Sequence, residues 1–174
     1  MFLKTEIQQV LNSLVGLNIR GPSRAANMLS LQLGPAVEAP TTRAPTREVG
    51  AFALHVFCPW RVVVAGSLVV GAGDLFTPAD SEADLDTFEW DVVGATWWDV
   101  RLAALFAERE EIFIRSVVVD AVGGFALECN ALQFEVFPSS SPTSHVETEF
   151  WRLFSPGRDE PHFIVDTSGG ASRL

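Results

Sequence analysis

The chain has 174 residues, 48% of them hydrophobic, with 13 Phe, 5 Trp and no Tyr. That length and composition suit one globular domain with a sizeable core and exclude a disordered chain. Net charge is −10, from 22 acidic residues against 12 Lys and Arg; such a surface repels nucleic acid and anionic membranes and favours a basic partner, or else only keeps the molecule soluble.

The first residues lack the basic start and apolar run of a secretory signal, and the longest nearly apolar run, 62–72, is too short to span a bilayer. A cytoplasmic location is expected. Residues 3–15 read as a helix, because Ile7, Val10, Leu11 and Leu14 fall on one face, and Gly16 can end it in a left-handed conformation. The alternation of Met28, Leu29, Leu31 and Leu33 with polar residues favours a strand over 25–33. Proline lacks the N–H a ladder needs, so the Pro/Thr-rich stretch 34–48 reads as a loop.

From Ala51 the pattern is that of a sheet. A strand runs to Cys58, Pro59 breaks it, and Trp60–Val70 continue as strand around Gly66. The acidic stretch 77–91 follows, with Asp80, Glu82, Asp84 and Asp86 at its centre. Thr96 and Asp99 resemble a capping box that opens a second helix over 97–108. The last third reads as β: 111–119, a Gly123-Gly124 turn, 125–129, 132–137, 149–154 and 162–165. Residues 167–174 read as a flexible tail. The expected architecture is one α+β domain over 1–166. Its sheet is mostly antiparallel, has seven to eight strands, leaves room for strong curvature, and packs with about two helices.

No catalytic signature assembles. His55 and Cys58 lie three apart on a strand, hence on opposite faces, which disfavours a nucleophile–base pair. His55, His145 and His162 have no zinc spacing with Cys58 or Cys129, which read as buried thiols rather than a disulfide. An EF-hand beginning at Asp80 fails, because Leu85 stands where Gly is needed and Asp91 where Glu is needed. Gly66, Gly71 and Gly73 form no dinucleotide fingerprint. Acid pairs such as Glu110–Glu111 or Glu147 and Glu149 read as strand-edge charges. Arginines inside apolar elements need carboxylate partners, and Arg101 with Asp99 or Asp91, and Arg115 with Glu128, are the pairs the sequence offers. No metal and no cofactor is expected.

Several stretches taken together carry a resemblance: Arg24-Ala25-Ala26-Asn27-Met28, His55-Val56-Phe57-Cys58-Pro59-Trp60-Arg61, Glu89-Trp90-Asp91, Gly123-Gly124-Phe125, Leu132 to Pro138, and Trp151-Arg152-Leu153-Phe154. The chain resembles a group of small bacterial proteins of unknown function, over most of residues 3–166. The resemblance implies that His55, Trp60, Arg61, Asp91, Trp151 and Arg152 belong to a shared pattern, and it brings no activity with it. Two functional expectations remain. One is a non-enzymatic protein-binding domain whose acidic loop (Asp80, Glu82, Asp84, Asp86) docks, neutralises or scaffolds a basic partner. The other is a small-molecule-binding domain or unfamiliar enzyme with a cleft lined by His55, Trp60, Arg61, Trp151 and Arg152. A homodimer burying some of the aromatics is a third possibility.

Overall fold

The structure, a computed structural model, describes residues 4–40, 46–109, 111–141, 143, 147–168 and 171–173. Two helices, α1 (Lys4–Asn12) and α2 (Trp97–Ala107), accompany eleven strands. The strands are β1 (Asn18–Ala25), β2 (Met28–Pro40), β3 (Thr46–Val56), β4 (Trp60–Val64), β5 (Ser67–Gly71), β6 (Ile112–Val119), β7 (Phe125–Cys129), β8 (Gln133–Val136), β9 (Glu149–Phe154), β10 (Phe163–Asp166) and β11 (Ala171–Arg173). They form one ladder in the order β11-β10-β9-β3-β2-β1-β6-β7-β8-β4-β5, and every registered pair is antiparallel. The α+β class and both helices match expectation, but the strand count exceeds seven to eight.

Two unexpected strands, β1 and β11, and the division of the expected 60–70 strand into β4 and β5 account for the difference, and β2 is also longer than expected. β1 was hidden because Gly21-Pro22 interrupts its pattern; its register shifts between Ile19 and Gly21, so the irregular residues sit at a bulge. Residues 34–40, expected as loop, extend β2 and pair with 46–50 of β3. Pro35 is tolerated there because the register slips between Leu33 and Ala36, and Gly34 takes φ +77°. Opposite the bulge the Gly50 N–H donates to Gln32 Oε1 at 2.8 Å. A Cβ on Gly50 would stand 2.6 Å from the Leu33 nitrogen, so the close approach needs glycine. Residues 171–173, expected as frayed tail, pair with β10 as β11. Residues Ala72–Phe76 form a 3₁₀ turn, and the Gly71 N–H at its start donates to Asp74 Oδ2 at 2.8 Å.

The ladder has a weak seam. β1 and β6 share only Asn18↔Phe113 and Ile19↔Ile112. Helix α1 covers the rest of that edge. Its Gln8 amide donates to Val117 O at 2.9 Å and accepts from Val119 N at 3.2 Å, while Ile7, Leu11 and Leu14 are fully buried below. The Gly16 N–H, at φ +88°, bonds Ile114 O at 2.8 Å. Residues from both sides of the seam meet in one core: Trp151 of β9 packs edge-on against Phe125 of β7 with centroids 5.1 Å apart. Its indole N–H donates to Gly123 O at 2.8 Å. Trp60 packs on Trp98 of α2 at 4.9 Å, which fixes that helix over the β4 end of the ladder.

Candidate functional site

Between Arg61 and Arg101 the chain carries eight of its 22 acidic residues and none of its 12 basic ones. The middle of this segment is a long excursion, residues 77–96, between the 3₁₀ turn and α2. Its base is closed by backbone: Pro78 bridges Thr96, Ala79 N bonds Ala95 O at 2.8 Å, and Trp97 N bonds Thr77 O at 2.7 Å. Within it the turns are built by the acids themselves. Asp80 Oδ1 accepts from Glu82 N at 2.9 Å, and Asp84 Oδ1 from Asp86 N at 3.0 Å. Asp80, Glu82, Asp84 and Asp86 are all exposed, and Glu89 and Asp91 join them.

The same region displays apolar side chains that sequence reading passed over. Phe76, Leu85, Val92 and Val93 are exposed, Val93 by 72%. Phe76 leans on Trp90 with centroids 5.5 Å apart. The available signal was bulky residues placed among acids with no helical or strand period to bury them.

What pins the loop is Arg24. Its side chain is 2% exposed and that of its partner Asp99 11%. Nε and Nη2 grip the two carboxylate oxygens at 2.7 and 2.9 Å, and Nη2 also donates to Trp90 O at 3.1 Å and Val92 O at 2.8 Å. Nη1 reaches Ala26 O and Asp91 O. Asp99 further accepts from Gly94 N and from the Thr96 hydroxyl, both at 2.9 Å, while Asp99 N donates to that hydroxyl at 3.2 Å. The capping box expected at 96–99 is therefore present. Burial pushes the Asp99 carboxyl up, but Arg24, Thr96 and Gly94 outweigh it and hold it below the ordinary carboxylate range. The expected pairing of Asp99 or Asp91 with Arg101 is not what forms: Arg101 lies over the Trp97 ring at 4.7 Å. Nor does Glu128 take Arg115; it accepts from Gln133 Nε2 at 2.6 Å.

The five residues expected to line a cleft divide three ways. Trp60 and Trp151 are core residues. Arg61 sits on the exposed side of β4, paired with Glu135 and lying over Phe137. His55 and Arg152 are cross-strand neighbours on β3 and β9. Arg152 pairs with Glu149 and lies over Phe57, and the His55 ring meets Phe154, which stacks on His162. No family model, curated protein or solved structure matches the chain.

No cluster of three or more metal-ligating side chains occurs among the described residues; His145 and Glu110 lie outside them. Cys58 and Cys129 are free and partly buried, and burial pushes both thiols up to about 12, which leaves them poor nucleophiles near neutral pH.

Burial, and then the Arg152 charge, hold the His55 imidazole below its ordinary value, against the pull of Glu149. The unfolded chain therefore binds the proton more readily. Stability is full above the unfolded value near 6.5 and declines as pH falls through the folded value. Thermal melts from pH 7.5 to 5 are expected to show this decline, and His55→Phe is expected to flatten it. Equal slopes in the two proteins would contradict the assignment.

Proposed function

We propose that the chain is a non-enzymatic protein-binding domain that uses the 77–96 excursion as its docking surface for a basic partner. The observation that carries this is the concentration of charge: eight acids and no base between Arg61 and Arg101, six of the acids exposed together on one pinned loop. Clustered charge of one sign accelerates encounter with a partner of the other sign. The exposed Phe76, Leu85, Val92 and Val93 supply apolar area to slow release. Because Arg24 already orders the loop, little conformational entropy remains to be lost on docking. Two copies of this loop repel one another, so a homodimer would use another face.

A strongly curved sheet belongs to the same proposal. It is supported by residues 57–59, a three-residue link joining strands six ladder places apart. Four Cα steps reach about 15 Å, whereas six strand spacings extend about 29 Å. Membership of the small bacterial group the sequence resembles, and a cytoplasmic setting, are part of the proposal too. No helix among the described residues is long and apolar enough to cross a membrane.

The test is kinetic. Against a bound partner, the quadruple variant Asp80→Asn, Glu82→Gln, Asp84→Asn, Asp86→Asn is expected to lower the association rate about tenfold or more at low salt, with the difference shrinking as salt rises. Association rates equal to wild type across the salt series would contradict the proposal.

A further inference from the structure

We propose that the outer face of β1, β2 and β3 carries a small oxyanion-binding site centred on Ser30 and His55 and flanked by Arg47. Three observations support this site. The first is a cleft of about 310 Å³ on this face. Its floor exists because the sheet carries small residues there: Ser23 faces Ser30, Ser30 faces His55, and in the next row Gln32 faces Ala53, which faces Phe154. Side chains two apart on a strand share a face, so both rows open into one hollow, walled by His55 and Phe154.

The second observation is a hydroxyl that opens to the cleft instead of to a protein partner. Ser30 is 5% exposed, and among the described residues nothing accepts from or donates to its hydroxyl. The hydroxyl oxygen is not fully enclosed; it opens to the cleft, where a bound molecule can hydrogen-bond to it.

The third is the sign of the lining. The protein carries −10 overall, yet no Asp or Glu lines this cleft. Arg47 does, and among the described residues no carboxylate pairs with it. The Gln32 amide is oriented by its Oε1, which accepts from Gly50 N, leaving the NH₂ end to donate. Two hydroxyls, one amide donor and an imidazole are suited to a carboxylate or phosphate group, and the Arg47 guanidinium, further along β3, adds positive charge at the edge of the same cleft. This site is distinct from the acidic loop and stands or falls independently of it.

The test is a ¹H–¹⁵N and side-chain NMR titration of the full chain with inorganic phosphate, with benzoate, and with benzamide as the uncharged control. Saturable shifts at His55, Ser30 and Gln32 are expected with at least one of the anions. Saturation by phosphate alone assigns a phosphorylated ligand, and by benzoate alone a carboxylic acid. Arg47→Gln is expected to weaken binding about tenfold or more. Arg47 is exposed on its strand, so this variant keeps the fold; Ser30→Ala, with the amide pattern away from the cleft unchanged, should also weaken binding. Linear shifts with both anions, equal saturation by benzamide, or indifference to Arg47→Gln would each overturn the proposal.

Discussion

Arg24→Ala is expected to destabilise the protein by about 3–5 kcal/mol, the cost of leaving a buried charge without its partner. For a domain of this size that is a fall in melting temperature of roughly 6–20 °C. The substitution removes six contacts at once: two to the Asp99 carboxylate and four to the carbonyls of Ala26, Trp90, Asp91 and Val92. It strands Asp99 at the start of α2 and frees the far side of the acidic excursion. The pH dependence follows from Asp99. Its folded value lies below the ordinary one, so its stabilisation is present above the unfolded value near 3.9 and is lost as pH falls through the folded value. The deficit of Arg24→Ala should therefore be largest at neutral pH and shrink below about pH 4. In a double-mutant cycle with Asp99→Ala, the paired change should cost less than the two single changes added together. A melting temperature within about 2 °C of wild type would show that the network is not what holds the loop.

Trp151→Ala should cost a comparable amount, about 3–5 kcal/mol, for a different reason. Trp151 is fully buried, packs against Phe125 and Phe163, and bonds the Gly123 carbonyl through its indole N–H. It thus joins β9 to the β6–β7 turn from across the core. That turn has little tolerance of its own. Asp120 Oδ1 accepts from Val122 N and Gly124 N, both at 2.8 Å, and a Cβ on Gly124 would stand 2.7 Å from Val136 O. Trp151→Phe keeps most of the apolar area and loses the hydrogen bond, so its cost should be clearly smaller. Chemical denaturation separates the two variants. Equal losses for Phe and Ala would mean that packing contributes little and the indole bond dominates.

The parts of the fold with a clean local period were legible. The apolar face Ile7–Leu11–Leu14, the Thr96–Asp99 cap, the Gly123-Gly124 turn and the alternating Ile112–Val119 run each encode their element in neighbouring residues. The parts that depend on distant partners were not. Pro35 forbids a regular ladder, and only the bulge opposite Gly50 admits it to β2. Arg24 and Asp99 are 75 positions apart, and nothing near either residue marks the pairing. Trp60 and Trp151 share a sequence neighbourhood with His55, Arg61 and Arg152, but strand alternation sends the tryptophans inward and leaves Arg61 on β4 apart from the His55–Arg152 pair on β3 and β9. The acidic excursion was legible as charge, since Asp80, Glu82, Asp84 and Asp86 are all exposed; its exposed apolar residues and its anchoring were not.

The most direct measurement is affinity capture from native cell extract with wild type and the Asp80/Glu82/Asp84/Asp86 amide variant side by side, at low and moderate salt, read by mass spectrometry. The expected result is a basic protein recovered stoichiometrically with wild type, reduced by salt and lost with the variant. Recovery of the same proteins by both baits, or of none by wild type, would contradict a docking role for the acidic loop.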